Sequence, residues 1–119
     1  MKISIKFTNL DSTPSIKTYV EEKIGALEKL LGHWEDHGEL EARVEVARRS
    51  MHHKKGEVYR AEINLPMPGT MLRAEDRDFD IRVAIDKARD RLQREIKKYK
   101  DLHGGDKSRE SIRTMQPED

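Results

Sequence analysis

Apolar residues recur along this chain in two rhythms, one of period two and one of period three to four. From Lys2 to Phe7 the alternation is strict. Ile3, Ile5 and Phe7 fall on one side and Lys2, Ser4 and Lys6 on the other, which predicts a strand with one buried face. Thr13-Pro14 then opens a helix, with Thr13 as N-cap and Pro14 at the first helical position. Its stripe is Ile16, Tyr19, Val20, Leu27, Leu30 and Leu31, with Ile24 beside it, and Gly32 is expected to end it. His33 to Glu39 is a polar connection that carries the only tryptophan, Trp34. Alternation returns in Leu40 to Arg49, with Leu40, Ala42, Val44 and Val46 inward, and again at Tyr59, Ala61, Ile63 and Leu65. Pro66-Met67-Pro68-Gly69 closes that third strand, and a short fourth strand follows with Leu72 and Ala74 inward.

The last periodic stretch is Asp78 to Lys100. Ile81, Ile85, Ala88, Leu92, Ile96 and Tyr99 form one helical stripe. Asp78 is the expected N-cap, with Asp80 adding negative charge in the first turn. After Asp101 the periodicity stops, so residues 1–101 are expected to form the folded domain and residues 102–119 a polar, disordered tail.

The order strand, helix, three strands, helix gives every element one apolar face. That predicts an α+β two-layer sandwich, βαβββα, with a four-stranded sheet and two helices packed on one face. The first two strands, joined through a helix, are expected to be parallel, and the later ones to form antiparallel hairpins. Only 34% of the residues are apolar, so the core must be thin. There is no cysteine, which excludes disulfides and thiol chemistry and fits a reducing compartment. No apolar run approaches the roughly 20 residues of a membrane span. The N-terminus also lacks the apolar centre of a signal peptide. A cytoplasmic location, with no membrane partner, is the expectation.

Net charge changes the picture only when it is read locally. The whole chain carries +1, but Arg82 to Lys100 holds eight Lys or Arg against Asp86, Asp90 and Glu95, a local +5. Opposite the apolar stripe lie Lys87, Arg91, Arg94 and Lys98, spaced so that like charges adjoin on one helical face. A solvated helix face also carries charge, and Asp90 with Arg94 or Asp86 with Arg89 would pair within it. A merely solubilising face alternates its signs, however, whereas this one concentrates one sign, as a phosphate-binding ridge does.

Other chemistry is sparse. Gly69 belongs to a turn and Gly104-Gly105 to the tail, so neither forms a phosphate loop. Ser4 and Ser50 have no activating neighbours, and no acid–base pair stands out. His33 with His37, and His52 with His53, lie in polar loops without the spacing of a metal site, so no metal and no cofactor is expected. The turn Ser50 to Gly56 holds two lysines and is either a solvated loop or a second anion contact. Trp34 and Tyr99 are the candidate exposed aromatics, too few for sequence-specific reading of single strands.

Several local patterns resemble the ribosome hibernation promoting factor family, which includes the ribosome-associated inhibitor A and the sigma-modulation proteins. They are Thr13-Pro14-Ser15-Ile16, Val20-Glu21-Glu22-Lys23-Ile24 and Leu27-Glu28-Lys29-Leu30 in the first helix. Asp78-Phe79-Asp80, Ala84-Ile85-Asp86 and Arg91 to Tyr99 continue the match, which covers about Lys2 to Lys100 in a short, single-domain form. The resemblance implies a non-enzymatic translation inhibitor that binds the rRNA of the small ribosomal subunit and competes with mRNA and tRNA. It also implies RNA-binding roles for Arg91, Arg94 and Lys98 and for Lys17, Lys23 and Lys29, which Lys87 joins by helical geometry. Ala26 stands where the family is often basic, and a short form without the second domain of long members is the expectation. No small-molecule substrate is expected. A general double-stranded RNA-binding module is the first rival reading, and a small hydrolase, for which no nucleophile is visible, the second.

Overall fold

The computed structural model describes residues 1–35, 40–50 and 56–103. Strand β1 (Lys2–Thr8) is followed by helix α1 (Pro14–Gly25), a 3₁₀ turn (Ala26–Leu30) and a four-residue helix α2 (Gly32–Glu35). Strands β2 (Glu41–Ser50), β3 (Glu57–Met67) and β4 (Thr70–Asp78) then lead into α3 (Ile81–His103). The sheet order is β1-β2-β3-β4, with β1 and β2 parallel and the other two pairings antiparallel. This is the expected βαβββα two-layer architecture.

The core forms where the alternating strands meet the helical stripes. Ala42, Val44, Val46, Ala61, Ile63, Leu65, Leu72 and Ala74 meet Val20, Ile24, Leu31, Ile85, Leu92 and Ile96, all buried. Ile3, Ile5 and Phe7 are only half-buried because β1 is an edge strand. At the other edge β3 turns into β4 through Pro68-Gly69, where Gly69 has φ 83°. Proline then glycine at the two central positions is the combination a type II turn requires. Tyr99 Oη donates to Pro68 O at 2.7 Å and so bolts α3 to this turn.

Four local expectations are corrected. The first helix does not run to Gly32. It leaves α-geometry at Gly25, a poor interior helix former, and tightens into the 3₁₀ turn, while Gly32 opens α2. The N-cap of α3 is Asp80, whose Oδ1 accepts from the backbone N–H groups of Arg82 and Val83. Asp78 instead ends β4 and accepts from the Asp80 N–H. The fourth strand is nine residues long rather than short. Finally, α3 continues to His103, beyond the expected edge at 101, and the rest of the expected tail, residues 104–119, lies outside the described residues. The same holds for His37, His52 and His53 and most of the basic turn at 50–56.

The sheet face away from the helices is a set of charged rows set by register. Lys6, Glu45, Glu62 and Glu75 stand opposite one another across the four strands, and Thr8, Ala47, Arg60 and Arg77 form the next outward row. Like charges opposite one another repel. The two rows neutralise each other, with Arg60 reaching Glu45 and Glu62 at 3.2 Å and Arg77 reaching Glu75 at 3.3 Å.

Candidate nucleic-acid interface

Ridge positions follow from the helical period once α3 is docked. With Ile85, Ala88, Leu92, Ile96 and Tyr99 buried against β3 and β4, positions 87, 91, 94 and 98 face outward. The ridge is not uniformly free. Arg91 Nε donates to Asp76 Oδ2 at 2.7 Å. Lys87 Nζ donates to the Arg77 carbonyl at 2.8 Å and lies within 3.7 Å of Asp76 and Asp78. Asp76 and Asp78 share the strand parity of Leu72 and Ala74, so β4 presents them towards the helix layer. Burial alone would raise the Asp76 carboxyl. The Arg91 and Arg77 hydrogen bonds and the charges of Lys87 and Arg91 outweigh it, holding the group below the ordinary carboxylate value.

Arg94 and Lys97 point outward with no hydrogen bond or ion pair among the described residues, and Lys98 makes only an exposed contact with Glu95 at 3.4 Å. The Asp90–Arg94 and Asp86–Arg89 pairs of the alternative, solvated-face reading are not formed. Asp90 lies beside Arg89 at 3.5 Å rather than Arg94, and Asp86 is taken by Tyr19. The bare cationic surface is therefore the C-terminal half of the ridge, while Lys87 and Arg91 are braced on the edge of β4.

The three first-helix lysines do not converge. Lys23 sits at the seam between α1 and α3, its Nζ 5.4 Å from the Tyr19 ring centre, with Arg82 on the same ring at 5.3 Å. The Tyr19 hydroxyl donates to both Asp86 oxygens at 2.7 and 2.9 Å. Burial first, and then the Asp86 carboxylate, push the Tyr19 phenol up to about 12. Lys17 is two positions from Tyr19 and so points to the other side of α1, away from α3. Lys29 is exposed on the 3₁₀ turn.

Neither aromatic considered for base contact is exposed. Trp34 and Tyr99 are buried and meet edge to face with ring centres 5.3 Å apart. The exposed aromatic is Phe79, at 63% exposure beside the start of α3, with Val83 near it in sequence. Its position between the end of β4 and the Asp80 cap was the available signal, since it belongs to neither apolar rhythm. Among the described residues no cluster of three or more His, Asp or Glu is arranged to hold a metal, and no helix is long and apolar enough to cross a membrane.

Residues 3–103 match the family model described as Sigma 54 modulation protein / S30EA ribosomal protein. The chain is 35% identical over 100 residues to the ribosome hibernation promotion factor of Bacillus subtilis, covering 84% of this chain and 49% of that protein. It is 36% identical to the factor of the same name from Lactococcus lactis, over 84% of this chain and 50% of that one. The chain thus spans about half the length of the curated relatives it matches. The crystal structure of the Thermus thermophilus Protein Y N-terminal domain superposes with a TM-score of 0.65 at 35% identity, covering 83% of this chain and 99% of that one. A ribosomal subunit interface protein from Coxiella burnetii shares the fold, with a TM-score of 0.69 at 17% identity over 85% of this chain and 99% of that one.

Proposed function

We propose a function from one premise: the chain belongs to the Sigma 54 modulation protein / S30EA ribosomal protein family. It is a cytoplasmic, non-enzymatic ribosome-associated translation inhibitor. Its helix layer binds rRNA phosphates of the small subunit and thereby blocks the sites of mRNA and tRNA. The observation that carries this reading is the bare run Arg94, Lys97 and Lys98, held rigidly outward because Leu92, Ile96 and Tyr99 on the opposite side of α3 are buried. Lys87 and Arg91 extend it towards β4 and Lys23 extends it towards α1, while Lys17 and Lys29 contribute from the flank. Phosphate recognition needs fixed cations more than aromatic platforms, and this surface offers cations. The sheet serves as the support of this helix layer.

The test is sedimentation of the full chain with isolated small subunits and, separately, with an arbitrary RNA duplex at matched salt. Binding to subunits, competed by tRNA or mRNA, with much weaker binding to the duplex supports the reading. Equal affinity for both would favour a general double-stranded RNA-binding module.

A further inference from the structure

The face of the sheet opposite the helices carries a second cationic feature, remote from the ridge. A hollow of about 440 Å³ opens there, with the side chains of Arg49, Arg60 and Arg77 against a single carboxylate, Glu75. Its origin is legible in the register. The outward row Thr8, Ala47, Arg60, Arg77 has one small member, and Ala47 leaves the space that longer side chains surround. Ala47 and Val58 add apolar lining, and Thr8 and Asn9 stand at the β1 side.

The arginines are not equally committed. Arg60 is held by Glu45 and Glu62 at 3.2 Å and acts as a fixed wall. Arg49 has no carboxylate partner among the described residues. Arg48 has the strand parity of Val44 and Val46, so its side chain lies on the helix side with Glu57 at 3.9 Å, whereas Arg77, on the outward face, shares Glu75 at 3.3 Å. Exposed pairs of this kind are weak and yield readily to a better anion. A phosphate suits an arginine fork better than a point-charge partner, and guanidinium planes also stack on bases. The volume lies in the range of roughly 300–1,000 Å³ typical of small-ligand sites, larger than a bare phosphate requires.

We infer that this hollow binds a nucleotide, its phosphate held by Arg49 and Arg77 and its sugar or base resting on Ala47 and Val58. The nucleotide is either free in solution or an unstacked residue of an RNA chain. The site faces away from the ridge, so it operates whether or not the ridge binds the small subunit.

The experiment is amide NMR on the full chain without ribosomes, at low salt, titrated with AMP in one arm and with a single-stranded oligouridylate in the other. Saturable shifts at Ala47, Arg48, Arg49 and Val58 are expected. Arg49→Gln should weaken binding by about tenfold, the loss expected for one charge-assisted contact. Ala47→Leu, which fills the hollow without changing charge, should weaken it at least as much, with a thermal melt verifying its fold. Arg73→Gln, at the other end of β4, should leave the affinity unchanged. Response to AMP identifies a free nucleotide as the ligand, and response to the oligomer alone identifies an RNA chain. If neither probe shifts these amides at millimolar concentration, or if Arg49→Gln binds like the wild type, the inference is overturned.

Discussion

Arg91 Nε and Asp76 Oδ2 lie 2.7 Å apart, tying the outer face of α3 to the last third of β4. The ridge residue is thus both a cation offered to solvent and part of the brace that fixes the helix on the sheet edge. Asp76 is the shared acceptor, because Lys87 also approaches it at 3.7 Å. Removing that carboxylate should therefore separate stability from binding.

For Asp76→Asn the two effects have opposite signs. The folded-state pKa of Asp76 is depressed, so its stabilisation is present above the ordinary carboxylate pKa and is lost as pH falls through the folded value. Arg91 is 55% exposed, so the loss at neutral pH should be small, roughly 0.5–1 kcal/mol. Melting temperatures of wild type and variant, measured from pH 7 downwards, should differ at neutral pH and converge in acid below pH ~4. Meanwhile the variant frees Arg91 and Lys87, so its affinity for small subunits should rise. A variant that binds more weakly would show that Asp76 orients the ridge rather than competing with the ligand.

Helix faces are checked by a pair of substitutions. Ile85 is 1% exposed, and Ile85→Asp would bury an unpaired charge, costing several kcal/mol, about as much as a domain of this size has to lose. Arg94→Glu touches no partner among the described residues and should melt within a degree or two of wild type. Equal losses in the two variants would mean that α3 is rotated from the described docking.

Tyr19 should report on the α1–α3 seam. Its folded pKa, about 12, stands above the ordinary phenol value of about 10, so the protonated phenol stabilises the fold below pH 10. That contribution is lost as pH rises from 10 towards 12. Ultraviolet titration of wild type against Tyr19→Phe should show the missing phenol ionising late, near the upper end of that window. Ionisation of Tyr19 at its ordinary pKa would mean that the hydrogen bond to Asp86 is not kept in solution.

The fold was legible because each element repeats one rhythm long enough to define a face. Ile3 to Phe7, Ala42 to Val46, Ala61 to Leu65 and the α3 stripe all point where their spacing predicts, although β1 is only half-buried. What periodicity does not carry is which residue lies across from which. Asp76 meets Arg91 only because β4 continues for four residues beyond Ala74 on the same parity, while the expected strand was short. Extending the alternation Leu72, Ala74, Asp76, Asp78 would have placed two carboxylates under the helix edge. Trp34 and Tyr99 misled for a related reason. The burial of Tyr99 follows from its place at the end of the α3 stripe, while that of Trp34 comes with its contact to Tyr99 across 65 positions in sequence rather than from any local pattern. Of the site, the positions of Arg94 and Lys98 followed from the helical period, whereas the separation of Lys17 from Lys23 required knowing which side of α1 meets α3.

The ridge itself is tested by salt. Each phosphate neutralised by Lys or Arg releases counterions, and four contacts at Lys87, Arg91, Arg94 and Lys98 imply a slope of log affinity against log salt of roughly −3. The slope steepens if Lys23 joins. Replacing Arg91, Arg94 and Lys98 together by Glu should flatten that slope and abolish inhibition of translation. All three side chains are exposed, so the fold should survive, less the Arg91–Asp76 tie. Because that tie is lost in the triple variant, Arg94→Glu with Lys98→Glu alone is the cleaner comparison, since neither side chain braces β4. The double variant should bind small subunits with a visibly shallower salt dependence at an unchanged melting temperature. Inhibition by the triple variant at wild-type concentrations would reduce the ridge to a solvated face, and the proposed mechanism would fall with it.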